Sequence, residues 1–392
     1  MSGRTPGPGL AEKVAVLRRP DSYPGQVGRV EVVETHMSWV FLTDRHAYKL
    51  KKPVRLEFLD FSTLEAREQD CREEVRLNRR LAPETYLGVV PLTISGAGRL
   101  RLGGRGTAVD WLVKMRRLPS ALMLDRMIEA GEADAAVVGK VAGLLSRFYS
   151  GLAPVVLSPA SYIKRFEREI DEHGRELAIS DYGLPGELVS TIISAQANFL
   201  RANAEILRDR VRGRRIVEGH GDLRPEHVFV GDPPVVIDCV EFNRQFRILD
   251  PAEEFSFLWM ECAFLDAPEV GEGIWRAYAD ATGDLVPDAL LIFLPVPPGL
   301  SQGQAVALAS ARSRRSRAGQ VAVPGEVVSG PGRRGGRTTR RCEWAGGEIG
   351  RRSAGSAFEK IDDRATGVDP MDRLGEQLRG VDLDELALAQ VR

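Results

Sequence analysis

The first third of the chain alternates short β-branched and aromatic runs with turn residues. Val30-Glu31-Val32-Val33, Trp39-Val40-Phe41-Leu42-Thr43 and Ala47-Tyr48-Lys49-Leu50-Lys51 each read as a strand. They are joined by Thr35-His36-Met37-Ser38 and by a tight turn at Asp44-Arg45. Tyr86 to Pro91, Leu100 to Leu102 and Val109 to Val113 add further strands, for a sheet of about five. Between them, Leu59 to Leu81 reads as a helix: Leu77 and Leu81 share a face, and Ser62, three residues before Glu65, is a capping candidate. Residues 1–25 carry several Gly and Pro and are expected to form a loose lead-in, with a short helix over Leu10 to Leu17.

The rhythm changes after Lys114. Ala133 to Tyr149 places Val137, Val141, Leu144, Leu145 and Phe148 at helical spacing, and Ser161 to Leu177 and Leu188 to Leu207 continue as helices. Ile248 to Glu254 opens another, with Asp250 as cap and Pro251 at the first helical position. One stretch in this half breaks the pattern. Val217 to Asn243 reads as a strand, a polar loop and a small hairpin turning at Gly231 to Pro234. Its apolar runs bring Asp222 and Asp238 close together, and neighbouring carboxylates repel unless a cation sits between or beside them. A magnesium-bound nucleotide meets that demand, because hard divalent ions take oxygen ligands.

Composition narrows the classes. A hydrophobic content of 43% is that of a globular protein, and a net charge of −1 creates no overall field for nucleic acid or an anionic membrane. Cys71, Cys239, Cys262 and Cys342 show no Cys-x-x-Cys spacing, so neither a zinc site nor a disulfide framework is indicated. No bilayer-length apolar run and no signal-peptide pattern occurs, so a reduced, cytoplasmic protein without membrane partners is expected. Arg312 to Arg341 holds nine Arg and one acid, Glu326, and only Trp344 and Phe358 are aromatic beyond Gly299. Such a segment cannot bury much apolar surface, so 295–392 is expected to be a low-order, Arg/Gly-rich tail. Its basic run is the one feature that points towards nucleic acid.

The string His220-Gly221-Asp222-Leu223-Arg224-Pro225-Glu226-His227, followed by Ile237-Asp238, resembles the catalytic core of the aminoglycoside phosphotransferase-like kinases, a branch of the protein-kinase-like fold. That family's loop reads His-Gly-Asp-Leu-His-x-x-Asn. Here Arg224 stands in the second His position and His227 in the Asn position, as in a sub-branch often fused to a second ATP-binding kinase domain. No Gly-x-x-x-x-Gly-Lys-Ser/Thr motif occurs, so that second domain is expected to be missing.

The resemblance implies a two-lobed α+β fold, with a small nucleotide-covering antiparallel β lobe over 26–116 and a larger, mainly helical lobe over 117–294. It implies ATP and Mg2+ as cofactors and a small hydroxylated molecule as acceptor. Asp222 would orient or deprotonate the acceptor hydroxyl, and Asp238 would bind the metal, with His227 or a water completing the site. Lys49 would reach the phosphates, with Lys51, on the same strand face, as the fallback. Glu74 in Glu74-Val75-Arg76-Leu77-Asn78-Arg79-Arg80 would steady the lysine, with Glu73 the adjacent alternative. The family's glycine-rich loop is absent, so backbone amides and a hydroxyl of the 35–38 connector, Ser38 foremost, would take its place. Lys114 to Pro119 would link the lobes and read the adenine edge through its backbone, with Met115 beside the base. Arg224 would pair with a phosphate or a nearby acid, and Asp250-Pro251-Ala252 would support the catalytic loop. Two other readings stay open: a non-catalytic nucleotide-binding relative acting as a regulator or partner platform, and a metal-dependent hydrolase built on His220, Asp222, His227 and Asp238. The acceptor and the oligomeric state are not written in the sequence.

Overall fold

The computed structural model describes residues 7–56, 59–178, 186–287 and 290–291. The expectations for the 295–392 tail lie outside these residues.

The first lobe begins with helix α1 (Leu10–Leu17) and strands β1 (Glu31–Glu34), β2 (Ser38–Leu42) and β3 (His46–Lys51). A short antiparallel pair, β4 (Arg55–Leu56) and β5 (Leu59–Asp60), precedes helix α2 (Leu64–Asn78) and β6 (Tyr86–Ile94), β7 (Leu100–Leu102) and β8 (Thr107–Arg116). The main sheet takes up all six predicted runs, where a sheet of about five is expected, in the antiparallel order β1-β2-β3-β8-β6-β7. Helix α2 starts later than the expected Leu59. Its cap is Thr63, whose Oγ1 accepts the Ala66 N–H at 3.1 Å, while the Ser62 hydroxyl donates to Asp60 instead.

Strand alternation divides the sheet's two faces. Tyr48 and Leu50 of β3 pack with Phe41, Leu92 and Leu112, and with Val14, Leu17 and Tyr23 from the start of the chain. Residues 10–23 are therefore not a loose lead-in. Leu17 is fully buried, and burying one such side chain stabilises by about 1.5–3 kcal/mol. Lys13 donates to Asp110 at 2.8 Å, and Asp110 also receives Arg67 of α2 at 2.7 Å, so helices α1 and α2 share one buried carboxylate. On the opposite face Ala47, Val113 and Met115 meet Cys71 and Val75 of α2, together with Phe229 and Val235 of the second lobe. Lys49 and Lys51 lie on this inner face.

The second lobe is built from α3 (Leu124–Glu129), α4 (Ala135–Ser150), α5 (Pro159–Leu177), α6 (Gly186–Arg212), α7 (Pro251–Phe264) and α8 (Pro268–Thr282) around one hydrophobic core. Inserted among them are β9 (Val217–Glu218), paired with β12 (Ile248–Leu249), and the hairpin of β10 (Val228–Phe229) and β11 (Val235–Val236). Asp250 caps α7 in a reciprocal capping box with Glu253, and its carboxylate also receives buried Arg210 at 2.6 Å. The molecule is thus a two-lobed α+β protein, an antiparallel sheet lobe joined to a helical lobe. Among the described residues no helix is long and apolar enough to cross a membrane.

Candidate active site

The loop after β9 is held from beneath by α7. Glu254 accepts the backbone N–H groups of His220, at 2.9 Å, and Gly221, and it also accepts the Tyr149 hydroxyl. The approach is so close that a β-carbon on Gly219 would press on Glu254 Oε2 and Leu249 Cδ1, displacing the carboxylate that holds the loop. Gly221 has φ +88°, a left-handed conformation that glycine adopts at no steric cost. The His220 ring is fully buried and bridges the two halves of the motif. Its Nε2 lies 3.0 Å from the Ile237 carbonyl, and its Nδ1 accepts the Asp222 N–H at 3.3 Å. Burial, with the His227 ring nearby, holds His220 well below the usual imidazole range, at about 3, so it is neutral.

Two backbone bonds then fix the segment carrying Asp238. Ile237 N–H donates to His227 O at 2.9 Å, and Val240 N–H donates to His220 O at 3.1 Å. Asp238 has φ 62°, a left-handed conformation unfavourable by about 1–2 kcal/mol for most residues but more accessible to Asp. Its N–H donates to the buried Tyr86 hydroxyl at 3.0 Å. His227 lies between the two acids, with Nδ1 2.9 Å from the Asp222 carbonyl and 3.6 Å from Asp222 Oδ2, and Nε2 3.8 Å from Asp238 Oδ2. Burial would lower the His227 pKa, but the two carboxylates overrule it and raise it. Burial pushes the Asp222 carboxyl up to about 6, against the pull of His227 and Arg224. Burial would raise Asp238 too, but Lys49 and His227 hold it well below the usual carboxylate range. The two acids of one motif therefore have divergent proton affinities, and Asp222 Oδ1 is buried without a hydrogen-bond partner.

The inner face of β3 closes the other side. Lys49 Nζ lies 2.6 Å from Asp238 Oδ1 and 3.2 Å from Glu74 Oε1. Lys51 is 1% exposed and is ringed by Asp70 and Glu74, each at 2.6 Å, and by Glu241. The two lysines are thus not a solvated strand end. Glu74 joins them, whereas Glu73 faces outward to Arg76. Asp70, Glu74 and Glu241 lie close enough to form a metal-like cluster, but the Lys51 ammonium already occupies its centre. Burial, opposed by Lys51, raises Glu241 to about 8, so this cluster retains a proton at neutral pH.

These groups open on one cavity of about 500 Å3 between the lobes. Val40, Leu42, Ala47, Met115, Met123 and Ile237 make one end apolar, while Lys49, Lys51, Asp222 and Asp238 make the other polar. Met115 is buried at the apolar end. Ser38 also lines the cavity, though as the first residue of β2, with its hydroxyl 2.9 Å from Thr35 Oγ1. Arg224 takes the second of its two expected partners, a nearby acid. Its guanidinium pairs with Glu226 at 2.9 Å and with Glu261 of α7 at 3.1 Å, and it is not among the described residues lining the cavity.

Several supporting residues are not evident from pattern. Asn78 Oδ1 accepts the Cys239 N–H at 2.9 Å, and Arg80 donates to the carbonyls of Glu218 and Gly219 at 2.8 and 2.7 Å. Both belong to the string that carries Glu74. Glu241 follows Asp238 by three residues, and Glu254 closes Asp250-Pro251-Ala252-Glu253-Glu254. Tyr86, at the start of β6, leaves no comparable trace.

No family model matches the chain. Two uncharacterized proteins, Rv2004c of Mycobacterium tuberculosis and Mb2027c of Mycobacterium bovis, are each 30% identical to it over 267 residues, 67% of this chain and 52% of theirs. The chain thus spans about half the length of the curated relatives it matches. Among solved structures, it is similar to the aminoglycoside phosphotransferase APH(3'')-Id of Streptomyces rimosus in complex with ADP and streptomycin, at 16% identity and a TM-score of 0.42, covering 73% of this chain and 96% of that one. It is also similar to a choline/ethanolamine kinase family protein of Mesorhizobium loti, at 14% identity and a TM-score of 0.41, covering 79% and 87%. These are distant likenesses.

Proposed function

We propose that the protein is an ATP-dependent phosphotransferase acting on a hydroxyl of a small molecule, with a divalent cation as cofactor. The observation that carries this reading is the convergence of Lys49, Asp238 and Asp222 on one half-apolar cavity, with buried Glu74 paired to Lys49 behind it. The apolar end suits a planar base, with Ala47, Met115 and Ile237 in contact with it. Arg116 and Arg117 N–H groups already donate to Thr85 O and Arg45 O, at 2.8 and 2.9 Å, so the base edge is read further along the linker, at Leu118. Lys49, steadied by Glu74, neutralises phosphate charge, and the 35–38 connector covers the phosphates.

Asp222 is the base. Its unpartnered Oδ1 accepts the proton of the acceptor hydroxyl as that oxygen attacks the terminal phosphorus and the bond to the departing ADP oxygen breaks. A carboxyl raised by burial is a stronger proton acceptor than a surface carboxylate. A divalent cation fits beside it, since magnesium-class ions commonly rest on one or two carboxylates and the substrate's phosphates. Asp238 would hold it, with His227 or a water alongside, and when bound it would supply positive charge to the phosphate oxygens. The hydrolase reading loses a member, because both His220 nitrogens face backbone groups.

The test is ADP release from Mg-ATP or Mn-ATP against a panel of hydroxylated metabolites, with Asp222→Asn as control. Turnover that requires an acceptor and falls by about 10²-fold or more in the variant is expected. Nucleotide binding without acceptor-dependent turnover would establish the non-catalytic alternative, and failure to bind nucleotide would remove both.

A further inference from the structure

Resting on the phosphotransfer reading of this cleft, we infer that His227 is a metal ligand through Nε2, and that the site therefore selects a nitrogen-tolerant first-row ion such as Mn2+ over Mg2+. The inference starts from the ring's hydrogen bonds. A carbonyl oxygen can only accept, so the 2.9 Å contact between His227 Nδ1 and Asp222 O places a proton on Nδ1. In the neutral ring Nε2 then carries the lone pair. Metal-binding histidines are typically oriented in this way, with the far nitrogen donating to a backbone carbonyl or carboxylate that fixes tautomer and rotation.

The second donor is already in place. Lys49 takes Asp238 Oδ1, and the other oxygen, Oδ2, faces His227 Nε2 at 3.8 Å. With ligand bonds of about 2.0–2.2 Å, one ion spans that gap. The ring itself is only 14% exposed, while the Asp238 carboxylate is 43% exposed and open to the cavity, so the missing ligands would come from that side, where phosphates would lie. The resulting donor set is one imidazole nitrogen, one carboxylate oxygen and phosphate oxygens. Magnesium is bound mainly by oxygen and water, whereas first-row ions gain affinity from imidazole.

The experiment uses the full chain with histidine labelled with 15N, loaded with Mn2+ and the β,γ-methylene analogue of ATP, which has no bridging nitrogen. Pulsed electron paramagnetic resonance should detect a directly bound 15N that vanishes in His227→Asn and in His227→Gln. Displacement of Mn2+ by Mg2+ should give a preference for Mn2+ that drops by about tenfold in either variant, while nucleotide binding persists. Mn2+ that binds with nucleotide and is lost in Asp238→Asn, but shows no histidine nitrogen and no change in preference at His227, overturns this inference and leaves the phosphotransfer reading intact. Absence of nucleotide-dependent Mn2+ binding overturns both.

Discussion

Glu74 is fully buried between two lysines, while Glu73, one residue earlier, lies at the surface against Arg76. Glu74→Gln removes the charge that orients Lys49 and should lower turnover by about 10²-fold, the usual consequence of a misplaced phosphate-binding group. Glu73→Gln should leave it within about twofold, since exposed ion pairs contribute little; steady-state kinetics on the pair distinguishes them. Glu241 makes a prediction about pH. Facing Lys51, Asp70, Glu74 and Lys49, it keeps its proton up to about 8 in the folded protein, against an ordinary value of 4.5. Between those values the unfolded chain binds fewer protons than the native one, so stability falls as pH rises from about 4.5 to 8. Urea midpoints measured across that range should decline for the wild type and flatten in Glu241→Gln. At this scale the motif residues were legible because Asp222 and His227 share one short string and Asp238 follows it after a single hairpin. The choice between Lys49 and Lys51 was not, because strand alternation puts both on one face. Only the fold shows that Lys51 is enclosed by three carboxylates while Lys49 reaches Asp238.

Helix α7 serves the site without touching the cavity. Its Glu254 fixes two amides of the His-Gly-Asp loop, and its Glu261 holds Arg224. Glu254→Gln would turn an amide N–H towards those donors, and losing such charge-assisted bonds costs about 1.5–3 kcal/mol each. A lower urea midpoint and impaired turnover are expected together. At the start of the same helix, Asp250→Ala removes the cap and one of the two acids facing buried Arg210, whose other partner is Asp284. Breaking a buried pair from one side costs about 3–5 kcal/mol, so this variant should be among the least stable in denaturant titration. Periodicity located α7 and its cap, because Asp-Pro at a helix start is a local signal. It could not reveal Glu254's partner, which lies 34 positions away in the chain. Local rules failed in the same way at the N-terminus. Several Gly and Pro suggested looseness, yet Val14, Leu17 and Tyr23 find a complementary surface only once the sheet exists.

For the molecule as a whole, the two-lobed division was legible in the switch from strand period to helix period near Lys114, and the cavity follows from that division. What the period could not convey is how firmly α2 is fastened. Successive turns of this helix and the residues just beyond it meet different neighbours: Glu74 the β3 lysines, Asn78 the amide after Asp238, and Arg80 the carbonyls before the His-Gly-Asp loop. A helix riveted at three points to both halves has no independent pivot. Swinging that helix outward would break all three ties and pull open the His-Gly-Asp loop with it, so the helix and the loop can only move together.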